Sequence, residues 1–168
     1  RQLSPRLGLV YEHGRVTVHA GYARYFTPPP TEKIRVEDVK LFAGTTAAPA
    51  STGNDPVRSE RSHYYDVGVI VRPSTALSLA LDAYYRHVDY LGDEGQFGSA
   101  LIFAPFNYRD GRVYGLEFTG SWRGDGLGAY LNAAYGSAEG RAIVSGQYNF
   151  APAELAALAT RFVHLDHD

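Results

Sequence analysis

The 168-residue chain is long enough for one ordinary domain, and 13% of its residues are aromatic. Its 16 basic and 18 acidic residues give a net charge of −2, which provides no field to attract nucleic acid, so no nucleic-acid partner is expected. Cysteine is absent, which excludes disulfide scaffolds and thiolate chemistry, and no apolar run reaches the roughly 18 residues of a transmembrane helix, although strands need only about 9–11 residues to cross.

Six segments alternate apolar residues with small or polar ones, which is the period of a β-strand with two unlike faces. In chain order they lie at 7–12, 16–23, 65–71, 77–85, 114–118 and 127–135, and another extended run begins near His164. After the weaker first segment, every residue of one face is apolar or Tyr, whereas Ile70 is the one large aliphatic residue of the other face. The second face could therefore not fill a packed core.

The connections between these segments alternate in length. Tight turns are predicted around 13–15, 73–75 and 124–126, and long connections at about 27–61, 91–111 and 137–162. Short turns at one end and long loops at the other are typical of an up-and-down barrel in an outer membrane, whose long loops are extracellular. Within the last connection, good helix formers predict a short helix near 152–161.

Aromatic residues on the apolar face lie near the ends of the segments. The residues concerned are Tyr22, Tyr65, Tyr85, Tyr114, Tyr135 and Trp122. The five tyrosines adjoin long connections, which places them at one level, whereas Trp122 adjoins a tight turn. From Tyr114 to Trp122 the strand rises about 26 Å, or about 20 Å at a tilt of about 40°, close to the apolar band of about 25 Å in such barrels. We predict that these six residues form a lipid-facing aromatic girdle, with outer-membrane lipid as a partner.

The second long connection is rich in apolar and aromatic residues, which do not remain in water without a purpose. Phe97, Phe103, Phe106 and Tyr108 are therefore candidate ligand-binding residues at a loop rim, with packing against neighbouring loops as the alternative.

Metal, cofactor and catalytic signatures are weak. His164, Asp166 and Asp168 share one strand face, which suits either a metal or a solvated rim. Asp66, Asp82 and Glu117 lie on the small-residue face, where polar lining of a lumen explains them without chemistry. No nucleophile elbow, zincin or phosphate-loop motif occurs, so we predict no metal, no cofactor and no enzyme.

Several motifs resemble a known family. SPRLGLVY at 4–11, GYARYFTPP at 21–29, HYYDVG at 63–68 and LDAYY at 81–85 are similar to barrel strands of TonB-dependent outer-membrane receptors. The stretches GRVYGLE at 111–117 and AYLNAAY at 129–135 continue the resemblance, which covers nearly the whole chain.

The resemblance implies a barrel of 22 strands that encloses a plug and takes up a scarce substrate, such as a metal chelate, with energy from the TonB coupling protein. No plug, coupling segment or terminal aromatic strand is recognised here, and Arg1 begins the chain without a signal peptide, so we expect a fragment. TonB would then act through segments missing here, and no family ligand-binding residue is carried over to this sequence.

The resulting fold prediction is all-β: an antiparallel up-and-down meander of about six to seven strands over 1–168, forming a partial transmembrane β-barrel. The predicted function is the barrel wall and external loops of a receptor for an unknown small-molecule substrate. The alternatives are a small complete barrel acting as an outer-membrane enzyme or adhesin, and a soluble β-sandwich that binds a ligand.

Overall fold

The computed structural model of the protein describes residues 2–29, 40–46, 48, 55–96 and 103–165. Within these residues the strands are β1 (Arg6–His13), β2 (Val16–Thr27), β3 (Glu60–Val71), β4 (Leu77–Asp89), β5 (Gly92–Gln96), β6 (Phe103–Arg123), β7 (Gly128–Ser145) and β8 (Val163–His164). One α-helix, α1, spans Pro152–Leu158, and short 3₁₀ turns lie at Lys40–Phe42 and Gln147–Asn149. None of the helices in the described ranges is long and apolar enough to cross a membrane.

All eight strands belong to one antiparallel sheet in the order β1-β2-β3-β4-β6-β7-β8. β4 and β5 lie end to end against β6, because the 21 residues of β6 are enough to pair with both. The predicted all-β up-and-down meander is confirmed, with β5 as a strand that the sequence did not reveal. In the described residues β1 pairs only with β2 and β8 only with β7, so the sheet is open, consistent with part of a barrel.

Two strands continue beyond the boundaries predicted for them. β6 begins at Phe103, inside the expected connection 91–111, and β7 ends at Ser145, inside the expected connection 137–162. Apolar alternation stops near Tyr114 on β6, whereas backbone pairing with β7 continues through Asp110 to Asn107. Because strands are held by backbone hydrogen bonds, a change in side-chain pattern does not end them. The predicted helix is confirmed but ends at Leu158, before the expected boundary at 161.

The two sides of the sheet differ in how they are covered. On the apolar side, Leu9, Leu116 and Leu131 are 70%, 51% and 59% exposed. No second sheet covers them in the described residues, so this structure does not match the β-sandwich alternative. The buried cluster lies instead at the end of the sheet that carries the long connections. It consists of Val88, Leu91, Phe106, Tyr108 and Leu165.

Candidate functional site

The apolar face is a continuous surface shared by six strands. Its members pair in register from β1 to β7, starting at the long-connection end with Leu7, Tyr22, Tyr65, Tyr85 and Tyr114, and continuing to Leu77 and Trp122 at the tight-turn end. Between these two rows every residue on β2, β3, β4, β6 and β7 is aliphatic, aromatic or glycine, and none is charged. On β1, His13 lies on this face, in register with Val16 near the tight-turn end. Such a surface is typical of strands that face hydrocarbon.

Four of the girdle tyrosines form one row across adjacent strands. Tyr22 pairs with Tyr65, Tyr65 with Tyr85, and Tyr85 with Tyr114, and the rings of Tyr22 and Tyr65 have centroids 5.3 Å apart. We call these four residues the tyrosine row. Trp122 lies opposite Leu77 at the other end of the face and is 42% exposed.

The prediction that Tyr135 shares the level of the other tyrosines is wrong in terms of strand register. Tyr135 pairs with Leu116, so it lies two residues from the tyrosine row, and Ser137 takes the place opposite Tyr114. The register follows from the turn that joins β6 and β7, which pairs Arg123 with Gly128. Counting residues from Tyr135 to the next long connection does not reveal this register. Tyr135 nevertheless lies on the apolar face and is 67% exposed.

Ionisable side chains begin two residues beyond the tyrosine row on every strand of the row, and also on β7. Two consecutive registers contain Arg24, His63, His87, Arg112, Glu139 and His164, and then Arg61, Asp89, Asp110 and Arg141. We call these ten residues the charged band. The Tyr22 hydroxyl shares a hydrogen bond of 2.9 Å with His63 Nδ1, and the Tyr114 hydroxyl donates to Glu139 Oε1 at 3.1 Å. The tyrosines therefore join an apolar surface to a polar one, as this side chain does at membrane interfaces.

Ion pairs order the β6–β7 half of the charged band. Arg112 Nε donates to Glu139 Oε2 at 2.6 Å, and Arg141 Nη2 donates to Asp110 Oδ2 at 2.8 Å. Both guanidinium groups also lie over the ring of Phe162, at 4.2 and 4.7 Å from its centroid. Partial burial opposes ionisation of Asp110, but hydrogen bonds from Arg141 and Arg109 outweigh it and hold the pKa of Asp110 below its usual range.

The opposite, small-residue face carries Asp66, Asp82 and Glu117 as predicted, and the structure adds His19, whose contact with them sequence reasoning missed. His19 Nε2 lies 3.1 Å from Asp82 Oδ1 and 4.0 Å from Asp66 Oδ2, and Glu117 pairs in register with Asp82. Gly68 lies between His19 and Asp82 in register, and a Cβ there would be 2.0 Å from Asp82 Oδ1. The sequence did contain a signal for this contact. His19 and Asp82 lie on the same face of β2 and β4, and Gly68 on β3 between them has no side chain to separate them. No group of three or more His, Cys, Asp or Glu in the described ranges is arranged to hold a metal ion.

A cavity of about 240 Å³ lies at the long-connection end. Its walls include Pro28, Pro29, Arg58, Glu60 and Phe106. Of the predicted ligand-binding residues, Phe106 lines this cavity, and Tyr108 packs beside it in the buried cluster with ring centroids 5.1 Å apart. Phe103 begins β6, and Phe97 lies outside the described residues, as do Asp166 and Asp168.

Asn107 holds the segments around this cavity together. Its buried side-chain amide accepts 2.7 Å hydrogen bonds from Arg58 N and Ser145 Oγ, and donates to the carbonyl oxygens of Tyr90 at 2.9 Å and Arg58 at 3.2 Å. A side-chain amide has two N–H donors and an oxygen that accepts with two lone pairs, so the hydrogen-bonding capacity of Asn107 is filled. Asn107 thus joins the chain before β3, the end of β4 and the end of β7. Nothing in the sequence distinguished it from an ordinary loop asparagine.

The family model described as TonB dependent receptor-like, beta-barrel matches residues 1–166. The chain belongs to the TonB-dependent receptor family. This is a family of outer-membrane receptors and transporters rather than of enzymes, and its membership explains a two-faced sheet whose long connections gather at one end. Comparisons with curated proteins and with solved structures found no match.

Proposed function

We propose that residues 1–168 form part of the wall of an outer-membrane barrel, with the apolar face toward lipid and the small-residue face toward the interior. The observation that supports this assignment is the sharp end of the uncharged surface at the tyrosine row, followed at once by the charged band. Tyr22, Tyr65, Tyr85, Tyr114 and, at the tight-turn end, Trp122 then act as interface residues, with Tyr135 two residues from the row. The segments at about 27–61, 91–111 and 137–162, which include β5 and the adjoining ends of β6 and β7, extend outside the cell.

The wall serves energised uptake of a scarce small molecule, such as a metal chelate. TonB drives this uptake through segments of the receptor other than this one. Phe106 contacts the substrate from the cavity at the long-connection end, Phe97 and Phe103 extend that rim, and Tyr108 supports it from the buried cluster. Family membership and the cavity, whose walls combine Phe106 and two prolines with Arg58 and Glu60, support this part of the proposal.

Cysteine labelling tests the orientation, and this chain contributes no background because it contains no cysteine. In the full-length receptor, Leu41→Cys, which is 78% exposed, is expected to react with an impermeant maleimide on intact cells. Asp125→Cys, in the turn between β6 and β7, is expected to react only after the cells are opened. Labelling of Asp125→Cys on intact cells with protection of Leu41→Cys would reverse the assignment.

Uptake is tested in cells that depend on the full-length receptor, with a panel of radiolabelled ferric chelates. At least one chelate is expected to accumulate only when both the receptor and TonB are present. Phe106→Ala is expected to weaken binding of that chelate, and Phe150→Ala is the control because Phe150 contacts Phe106, with ring centroids 4.8 Å apart, without lining the cavity. Accumulation that is unchanged without TonB would contradict energised uptake.

A further inference from the structure

The charged band is neutralised in one half only. On β6 and β7 each guanidinium meets a carboxylate, as the pairs of Arg112 with Glu139 and Arg141 with Asp110 illustrate. On β2, β3 and β4 the band has a different composition. That half contains Arg24, Arg61, His63 and His87, which we call the basic patch, and a single carboxylate, Asp89. Even with both histidines uncharged, the two arginines of the basic patch share these two registers of β2, β3 and β4 with one carboxylate.

Within the described residues, neither arginine of the basic patch has a carboxylate within ion-pair distance. Arg24 Nε is buried and has no hydrogen-bond partner among the described residues. Asp89 lies opposite Arg61 in register, but its ion-pair contact in the described residues is with His87, whose Nε2 is 3.7 Å from Asp89 Oδ1. A buried donor without an acceptor is costly, which indicates that something outside these residues supplies the acceptor.

The register places the four side chains close together. Arg24 pairs with His63, and His63 pairs with His87, while Arg61 is two residues from His63 on β3. Since neighbouring strands are about 4.8 Å apart, the basic patch is about 10 Å wide. It begins two residues beyond Tyr22 and Tyr65, about 7 Å along the strand.

We propose that the basic patch binds the phosphate of a lipid headgroup in the outer leaflet. The inference depends on the proposed function, because it requires the apolar face to lie in lipid. A lipid whose chains cover that face carries its headgroup at the level just beyond the tyrosine row, where the patch lies. Guanidinium groups present paired donors that match phosphate oxygens, and the orphaned Arg24 donor gains an acceptor. Free phosphate has the same chemistry but no chains to hold it against the apolar face.

The test uses the full-length receptor in maltoside micelles, which contain no phosphate, with native mass spectrometry as the readout. Phosphatidic acid is expected to bind, whereas diacylglycerol with the same acyl chains is expected to bind much more weakly. The double variant Arg24→Gln, Arg61→Gln is expected to lower the affinity for phosphatidic acid about tenfold. The matched control is Arg15→Gln, Arg123→Gln, which removes the same charge at the tight-turn end and is expected to leave the affinity unchanged.

Three results would overturn the inference. They are equal binding of phosphatidic acid and diacylglycerol, equal losses in the two double variants, and displacement of the lipid by inorganic phosphate at the same concentration as phosphatidic acid. Failure of the lipid-facing assignment is detected separately. A fluorophore attached to Leu81→Cys is expected to be quenched by brominated acyl chains whatever the headgroup, and loss of that quenching would contradict the proposed function as well.

Discussion

Individual polar side chains mark the limits of each surface in this sheet. The hydroxyls of Tyr22 and Tyr114 reach from the apolar face to His63 and Glu139. Hydrogen bonds therefore connect the tyrosine row to the charged band, in addition to the change in residue type between them. Asn107 has the corresponding role in the interior, where its filled amide joins three segments. Removing such a group leaves its partners unsatisfied, which costs more than the hydrogen bond itself contributes.

Asp110 makes the stability of the β6–β7 end dependent on pH. Because its pKa is lowered in the folded chain, its ion pair with Arg141 stabilises the fold above the unfolded carboxyl pKa of about 3.9, and this contribution is lost as pH falls through the lower folded value. In the full-length receptor, Asp110→Asn is expected to cost about 1–2 kcal/mol at pH 7 and much less near pH 2.

The measurement is the thermal midpoint in detergent between pH 2 and pH 7. Asp125→Asn is the control, because Asp125 lies exposed in the β6–β7 turn. If Asp110→Asn and the parent chain keep the same difference in midpoint at both ends of this range, the ion pair is not the source of the pH dependence.

At the scale of elements, β6 shows how one strand serves three environments. Its segment from Tyr114 to Trp122 contributes to the apolar face, Arg112 and Asp110 belong to the charged band, and Phe106 lines the cavity. The environment changes along the strand while backbone pairing with β7 continues. A single long strand therefore fixes the distance between the apolar face and the cavity at the long-connection end.

Charge on the two faces of β4 is expected to have unequal effects. Leu81 lies midway between the tyrosine row and the register of Trp122, and it is 48% exposed on the apolar face. In the full-length receptor, Leu81→Arg is expected to destabilise the inserted barrel by about 2–4 kcal/mol, since the charge would enter hydrocarbon near the midplane. Ala80 is the neighbouring residue and lies on the small-residue face, so Ala80→Arg is expected to destabilise the inserted barrel less.

Heat-modifiable migration on gels after folding into lipid vesicles measures the inserted fraction for both variants. Similar losses for Leu81→Arg and Ala80→Arg would contradict the assignment of the two faces.

At the scale of the whole molecule, the described residues leave the apolar face of the sheet and its two edge strands uncovered. Within the described residues β1 has one paired edge, and Leu7, Leu9 and Tyr11 are each at least 64% exposed. Unpaired edges with apolar side chains associate in water. The buried cluster around Val88 and Phe106 lies at one end and does not shield this surface.

The 168-residue chain expressed by itself is therefore expected to associate in detergent-free buffer and to depend on detergent for dispersal. Sedimentation velocity in both conditions measures this difference. A monodisperse monomer without detergent, with a sharp unfolding transition, would favour a soluble binding module instead.

The sequence by itself determined the class of the fold and the identity of the two faces. Alternation from Val16 to Tyr135 depends on the period of a strand, which is a local property, so the strands and the uncharged surface were predictable. The tertiary structure alone decided the register, which moved Tyr135 away from the tyrosine row, and the pairing of β5 with β6. It also brought His19 to Asp82 and Asn107 to Arg58. These contacts join residues 49 to 63 positions apart, and they follow from turn lengths and backbone pairing that side-chain periodicity does not encode.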